Sequence, residues 1–193
     1  MRKFCFTILV LVFILSGCVT IKPKDFTYPY IAEYTGLDTL ISIDGYYVAQ
    51  RECDSTFFSV FMFYPDGLFT IATTSDVSGL KDCFENGGQS NLCQYPSWGT
   101  YRIEGNIIKT QTIRQEGMGI STIFRDYEIN NTQVLINISD YVVPQNTNLG
   151  YMKNYPSFSE NRCSEAASFY PLAKKRSEKD CPFINKKWFN QNK

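Results

Sequence analysis

One side chain that carries much of enzymatic chemistry is missing altogether: the 193-residue chain has no histidine. That removes the commonest general acid–base, the Ser-His-Asp and Cys-His nucleophile arrangements, and the commonest ligand of catalytic zinc. Two carboxylates suffice for glycoside hydrolysis. Here, however, the 19 Asp and Glu residues are scattered, and no spacing singles out a pair. We therefore expect no catalytic residue, no metal site, no cofactor and no enzymatic activity. What remains is cysteine. There are 7, none in a Cys-x-x-Cys pair, so neither a zinc ribbon nor a thioredoxin-type site is expected.

Cys18 is set apart by what precedes it. Arg2 and Lys3 lead into an apolar run from Phe4 to Leu15, and Leu15-Ser16-Gly17-Cys18 closes the segment. A positive start, a short apolar stretch and small residues at the cut make a secretory signal peptide. The run is shorter than the ~20 residues a transmembrane helix needs. The last four residues resemble the lipobox of bacterial lipoproteins: an aliphatic residue, two small ones, then cysteine. In that family the chain is cut before the cysteine, whose thiol and new amino group are acylated. The resemblance implies a signal peptide over 1–17, lipid attachment at Cys18, and acyl chains as the membrane contact. It also implies the cell envelope, and Val19, which is not acidic, points to the outer membrane. The competing reading is an ordinary signal peptide with an incidental cysteine. Cleavage removes Arg2 and Lys3 and leaves a net charge of about −2, the wrong sign for a nucleic-acid partner.

Five further cysteines would meet an oxidising compartment, where disulfides persist. We expect Cys83 to pair with Cys93 and Cys163 with Cys181. The count is odd, so Cys53 is left over.

Residues 18–40 read as a tether interrupted by Pro23 and Pro29; beyond it the dominant signal is β. Candidate strands are Gly45 to Gln50, Phe57 to Tyr64, Leu68 to Thr73, Trp98 to Ile103, Ile107 to Arg114, Ile120 to Ile129, Val134 to Ser139 and Ser168 to Ala173. Turn residues lie between most of them: Pro65-Asp66-Gly67, Glu104-Gly105-Asn106, Gly117-Met118-Gly119 and Asn130-Asn131. Eight strands joined by tight sequential turns predict an all-β, eight-stranded, up-and-down antiparallel barrel over 41–193, with a short helix near the C-terminus. A two-sheet sandwich is the competitor. The basic run Lys174, Lys175, Arg176 and Lys179 is diluted by Glu178 and Asp180 and reads as a solvated strand end.

Three stretches make the domain resemble the lipocalin-like lipoproteins of Gram-negative bacteria. Gly45-Tyr46-Tyr47 stands where lipocalins have Gly-x-Trp at the start of the first strand. Trp98-Gly99-Thr100-Tyr101-Arg102-Ile103-Glu104-Gly105-Asn106-Ile107-Ile108 is similar to their mid-barrel hairpin. Phe169-Tyr170-Pro171-Leu172 with Lys186-Lys187-Trp188-Phe189 is similar to their C-terminal end. The resemblance implies a lipocalin-type barrel and a small apolar ligand.

Alternation nominates interior residues. Ile123, Arg125 and Tyr127 share one face of the sixth strand, Tyr101 lies inward on the fourth and Phe69 on the third. These five form the candidate ligand site. A buried Arg125 is either an anchor for a ligand carboxylate or a structural charge with an internal partner. Phe57 to Phe63 is apolar on both faces, so its outer face needs a cover or a partner. Three functions follow: a binding lipoprotein holding or presenting a small apolar or amphipathic ligand, an envelope interaction lipoprotein with a filled barrel, and a carboxylate enzyme.

Overall fold

The computed structural model describes residues 26–50, 56–88, 96–116, 119–144 and 165–192, with Pro23 and Cys93; over 114–116, 119–121 and 140–144 it describes the backbone alone. Eight strands follow in chain order: β1 (Gly45–Gln50), β2 (Phe58–Phe63), β3 (Leu68–Thr74), β4 (Ser97–Glu104), β5 (Ile107–Glu116), β6 (Gly119–Asn131), β7 (Val134–Pro144) and β8 (Glu165–Pro171). Each pairs antiparallel with the next, and β1 pairs with β8, which closes the barrel. The up-and-down barrel is thus the fold, and the sandwich is not. Closure gives each strand a partner on both sides along part of its length, which is how such a sheet limits edge-to-edge association.

The turns work as their residues dictate. Gly67 (φ +92°) and Gly105 (φ +64°) adopt the left-handed conformation that a Cβ disfavours. Asp66 accepts a hydrogen bond from the Leu68 N–H, and Asn131 accepts one from the Gln133 N–H. Gly45 is needed for another reason: a Cβ there would collide with the Tyr170 carbonyl on β8 and come within 2.7 Å of the Phe169 ring.

Two cores lie on either side of the sheet. The inner one fills the barrel and includes Tyr47, Phe61, Phe63, Phe69, Tyr101, Ile108, Tyr127 and Leu135. One end is plugged by the 3-10 turn Leu37–Thr39 and the residues after it, with Leu37, Ile41 and Ile43 buried. Tyr47 does part of this sealing, its hydroxyl donating to Ser42 O at 2.9 Å with Thr132 O at 3.3 Å. The outer core joins Val60, Met62, Leu68 and Trp98 of the wall to Phe26, Tyr30, Cys181 and Phe189. The outer face of β2 is therefore covered by both chain ends.

From Phe26 onward, the segment expected to be a tether belongs to the domain. Tyr30 pairs in a parallel bridge with Asn190, and its N–H donates to Phe189 O at 2.7 Å. The C-terminal helix reduces to one 3-10 turn, Glu178–Asp180, capped by Ser177; Pro182 cannot continue it. Among the described residues, no helix is long and apolar enough to cross a membrane.

Cys83 and Cys93 form a disulfide with Cα atoms 5.7 Å apart, as expected. Cys181 is a free thiol, 3% exposed in the outer core, which overturns the expected Cys163–Cys181 pairing; Cys163 and Cys53 lie outside the described residues. Apolar packing has claimed Cys181, and burial pushes its thiol up to about 12.

Candidate functional site

The interior is graded along the barrel. At the plugged end it is a floor of rings. Phe61 and Tyr127 lie 4.7 Å apart between centroids, Phe63 and Phe69 5.0 Å, Phe63 and Tyr101 5.4 Å, and Tyr47 and Phe61 5.6 Å. Such offset and edge-to-face pairs contribute beyond their buried area. Further along the same strands, inward positions become small: Ala49 opposite Ser59 and Ala167, and Gly99 opposite Thr112. Gly99 has no alternative, because a Cβ there would strike the Gln111 carbonyl on β5.

All five expected site residues occupy the inward face, at two heights. Phe69, Tyr101 and Tyr127 belong to the floor, each 5% exposed or less. The Tyr101 hydroxyl donates to Tyr64 O at 2.6 Å and accepts from Thr35 Oγ1 at 2.7 Å. Both of its hydrogen-bonding roles are thus met by protein, and burial raises its pKa. Ile123 and Arg125 stand above the floor. The β5–β6 register sets Ile123 opposite Thr112 and Arg125 opposite Thr110, whose hydroxyl donates to the Arg125 carbonyl at 3.0 Å. On β7, Arg125 is opposite Asp140. Arg125 itself is half-buried.

Thr112 was not among the expected residues. Its side chain is 1% exposed, and its hydroxyl has no hydrogen-bond partner. A buried hydroxyl without a partner costs free energy of order 1–3 kcal/mol. The signal was available, since alternation from Ile108 places Thr110 and Thr112 on the inward face, but threonine draws no attention in a β-rich sequence.

Among the described residues, two clefts lie beside the barrel wall. One, of about 640 Å³, runs between the disulfide-closed segment Cys83–Gly88 and the C-terminal stretch Lys174–Asp180. The other, of about 410 Å³, lies beside Tyr28, Tyr30, Asp66 and Arg102. The basic run does not simply solvate. Lys175 Nζ donates to Ile43 O at 2.7 Å and to Phe63 O, and lies 4.4 Å from the centre of the Tyr64 ring. Arg176 donates to Cys93 O at 2.5 Å and pairs with Asp180 at 3.1 Å. Burial lowers the Lys175 pKa to about 8, against the weaker pull of Asp44, Glu178 and Asp66.

Among the described residues, the inward face offers an apolar floor, the partnerless Thr112 hydroxyl and the half-buried Arg125. No protein-family profile, curated protein or solved structure matches the chain.

Proposed function

We propose that this chain is a lipid-anchored, lipocalin-like lipoprotein of the Gram-negative envelope, attached through Cys18 and directed to the outer membrane. Its barrel holds or presents a small apolar or amphipathic ligand above the ring floor. The observation that carries this reading is the Thr112 hydroxyl, buried on the inward face without a partner among Gly99, Thr110 and Ile123. A ligand with an acceptor or donor at that height would satisfy it, while the floor takes the apolar body. Small inward side chains at Ala49, Ser59 and Ala167 support the same placement.

The test uses the chain from Val19 onward, titrated with dansyl-labelled undecanoic acid. Saturable enhancement of probe emission is expected, weakened about fivefold in Thr112→Val, the equivalent of about 1 kcal/mol. Absence of saturable binding by the parent chain would sink the ligand reading. For the anchor, metabolic labelling with palmitate should vanish in Cys18→Ala.

A second reading, an envelope interaction lipoprotein, draws on the packed floor and the external cleft beside Lys174. It becomes the better account if the probe does not bind.

A further inference from the structure

The smaller cleft beside the wall, of about 410 Å³, opens where the strap Thr27–Ile31 lies over β4 and meets the β2–β3 turn. The strap is held along its length. Gln111, fully buried, accepts from the Thr27 N–H at 2.9 Å and donates to the Tyr28 carbonyl at 2.5 Å, and Thr100 donates to the same carbonyl. The Tyr30 carbonyl accepts from the Gln191 N–H at 3.0 Å, and past the cleft the Thr35 N–H donates to Pro65 O at 2.9 Å. Between these fixed points Ala32 stands at φ +54°, in the left-handed region that a Cβ disfavours. Among the described residues no other non-glycine does so. A residue strained in this way persists only where its surroundings over-determine it, and such positions cluster at ligand clamps.

The lining mixes rings with planar polar groups of both signs. Half-buried Asp66 accepts from the Tyr30 hydroxyl at 2.5 Å through one oxygen and from the Leu68 N–H at 3.3 Å through the other, which fixes the plane of its carboxylate. Arg102 holds its guanidinium 4.1 Å from the centre of the Tyr28 ring and pairs with Glu104 at 2.7 Å. This mixture sorts ligand classes. A cation drawn to the phenols and Asp66 would meet Arg102, and an anion drawn to Arg102 would meet Asp66 and Glu104. A hydrocarbon would strip water from Asp66 and return no hydrogen bond. A neutral ligand rich in hydroxyls suits both groups. Neighbouring hydroxyls donate to a carboxylate and accept from a guanidinium, each at two points, while the C–H face of the same ligand packs on a ring.

We infer that this cleft binds a saccharide, with Asp66 and Arg102 fixing hydroxyls and Tyr28 supplying apolar contact. Its volume lies within the range of small-molecule sites, about 300–1,000 Å³. The site stands apart from the Thr112 level of the barrel, and neither reading needs the other. A free sugar and a unit of an envelope polysaccharide present the same hydroxyls, so the test separates them.

The full chain, purified in a detergent without a sugar headgroup, is applied to an array of neutral and anionic bacterial glycans, and bound chain is read with an antiserum. Binding to neutral glycans is expected. Affinity for the bound saccharide, measured in solution, should fall about tenfold in Asp66→Asn and in Arg102→Met, the equivalent of about 1.4 kcal/mol each. Inhibition by the monosaccharide assigns a small sugar, and inhibition only by oligomers assigns a unit within a chain. Circular dichroism and the dansyl-undecanoic acid titration should not change in either variant, which separates loss of the site from loss of the fold. Should Asp66→Asn disturb the turn, Arg102→Met decides, because that side chain is 49% exposed. Silence of the parent on every neutral glycan overturns the inference. So does binding confined to anionic glycans that survives Asp66→Asn, or neutral-glycan binding that both variants keep. A failed dansyl titration with array binding intact removes the apolar-ligand reading and leaves this one standing.

Discussion

Arg125 shows how far alternation reaches and where it stops. Period-two patterning assigns its side chain to the inward face, beside Tyr127 and Ile123, and the register sets these three opposite Thr110, Ile108 and Thr112 of β5. It says nothing about height along the barrel axis. Height separates the packed floor of Phe69, Tyr101 and Tyr127 from the residues above it, and it depends on how far each strand is staggered against its neighbours. The sequence therefore made the face of the candidate site legible, but not its level. We expect Arg125→Met to fold and to lose about 2 kcal/mol in urea denaturation, less than the 3–5 kcal/mol of a fully buried pair. With Asp140 opposite, Asp140→Asn alone and in combination completes a double-mutant cycle. A coupling near zero would assign the partner elsewhere.

At the level of elements, the eight strands were legible because each has a turn signal at its ends and alternation or apolar runs within. The outer layer was not. Residues 26–40 and 172–192 carry no period, since irregular segments bury side chains one at a time wherever the wall offers a place. Their presence was announced only indirectly, by a β2 that is apolar on both faces. Phe26, Trp188 and Phe189 meet that demand, with the Phe26 and Phe189 rings stacked at 5.4 Å. Cys181 was mispaired for the same reason: its burial depends on a layer that leaves no pattern. Phe189 is fully buried, so Phe189→Ala should cost about 3–5 kcal/mol by cavity formation. Chemical denaturation with increased binding of an apolar dye would register it; a loss under 1 kcal/mol would mean that the outer layer contributes little.

For the molecule as a whole, Lys175 makes stability depend on alkaline pH with a sign that can be worked out. Its folded pKa of about 8 lies below the ordinary 10.5, so between these values the unfolded chain binds more protons. Stability from this group rises as pH climbs through that window. The buried phenols of Tyr47, Tyr64 and Tyr101 and the thiol of Cys181 act oppositely. Their folded pKa values are raised, so the stability they contribute below their unfolded pKa values, about 8.5 for the thiol and 10 for the phenols, is lost as pH climbs past them. A rise from about pH 8 to about 8.5, a plateau to about pH 10 where the amine and the thiol offset one another, and a decline above it as the phenols titrate in the unfolded chain is the expected curve. Lys175→Met isolates the amine: from pH 8 to 10 the parent should gain on the variant in urea midpoint, and a constant gap would refute the burial.

The outer layer also gives the molecule an optical division of labour. The chain has 2 tryptophans, Trp98 on the wall and Trp188 in the C-terminal stretch, and both sit in the outer core. The rings inside the barrel belong to tyrosine and phenylalanine. Indole emission therefore watches the jacket, whereas far-ultraviolet circular dichroism watches the staves. During refolding, a closed barrel whose ends are still undocked would show full sheet signal with indoles still in water. Overlaid time courses of the two signals measure the interval between closing the barrel and fastening its two ends over the wall.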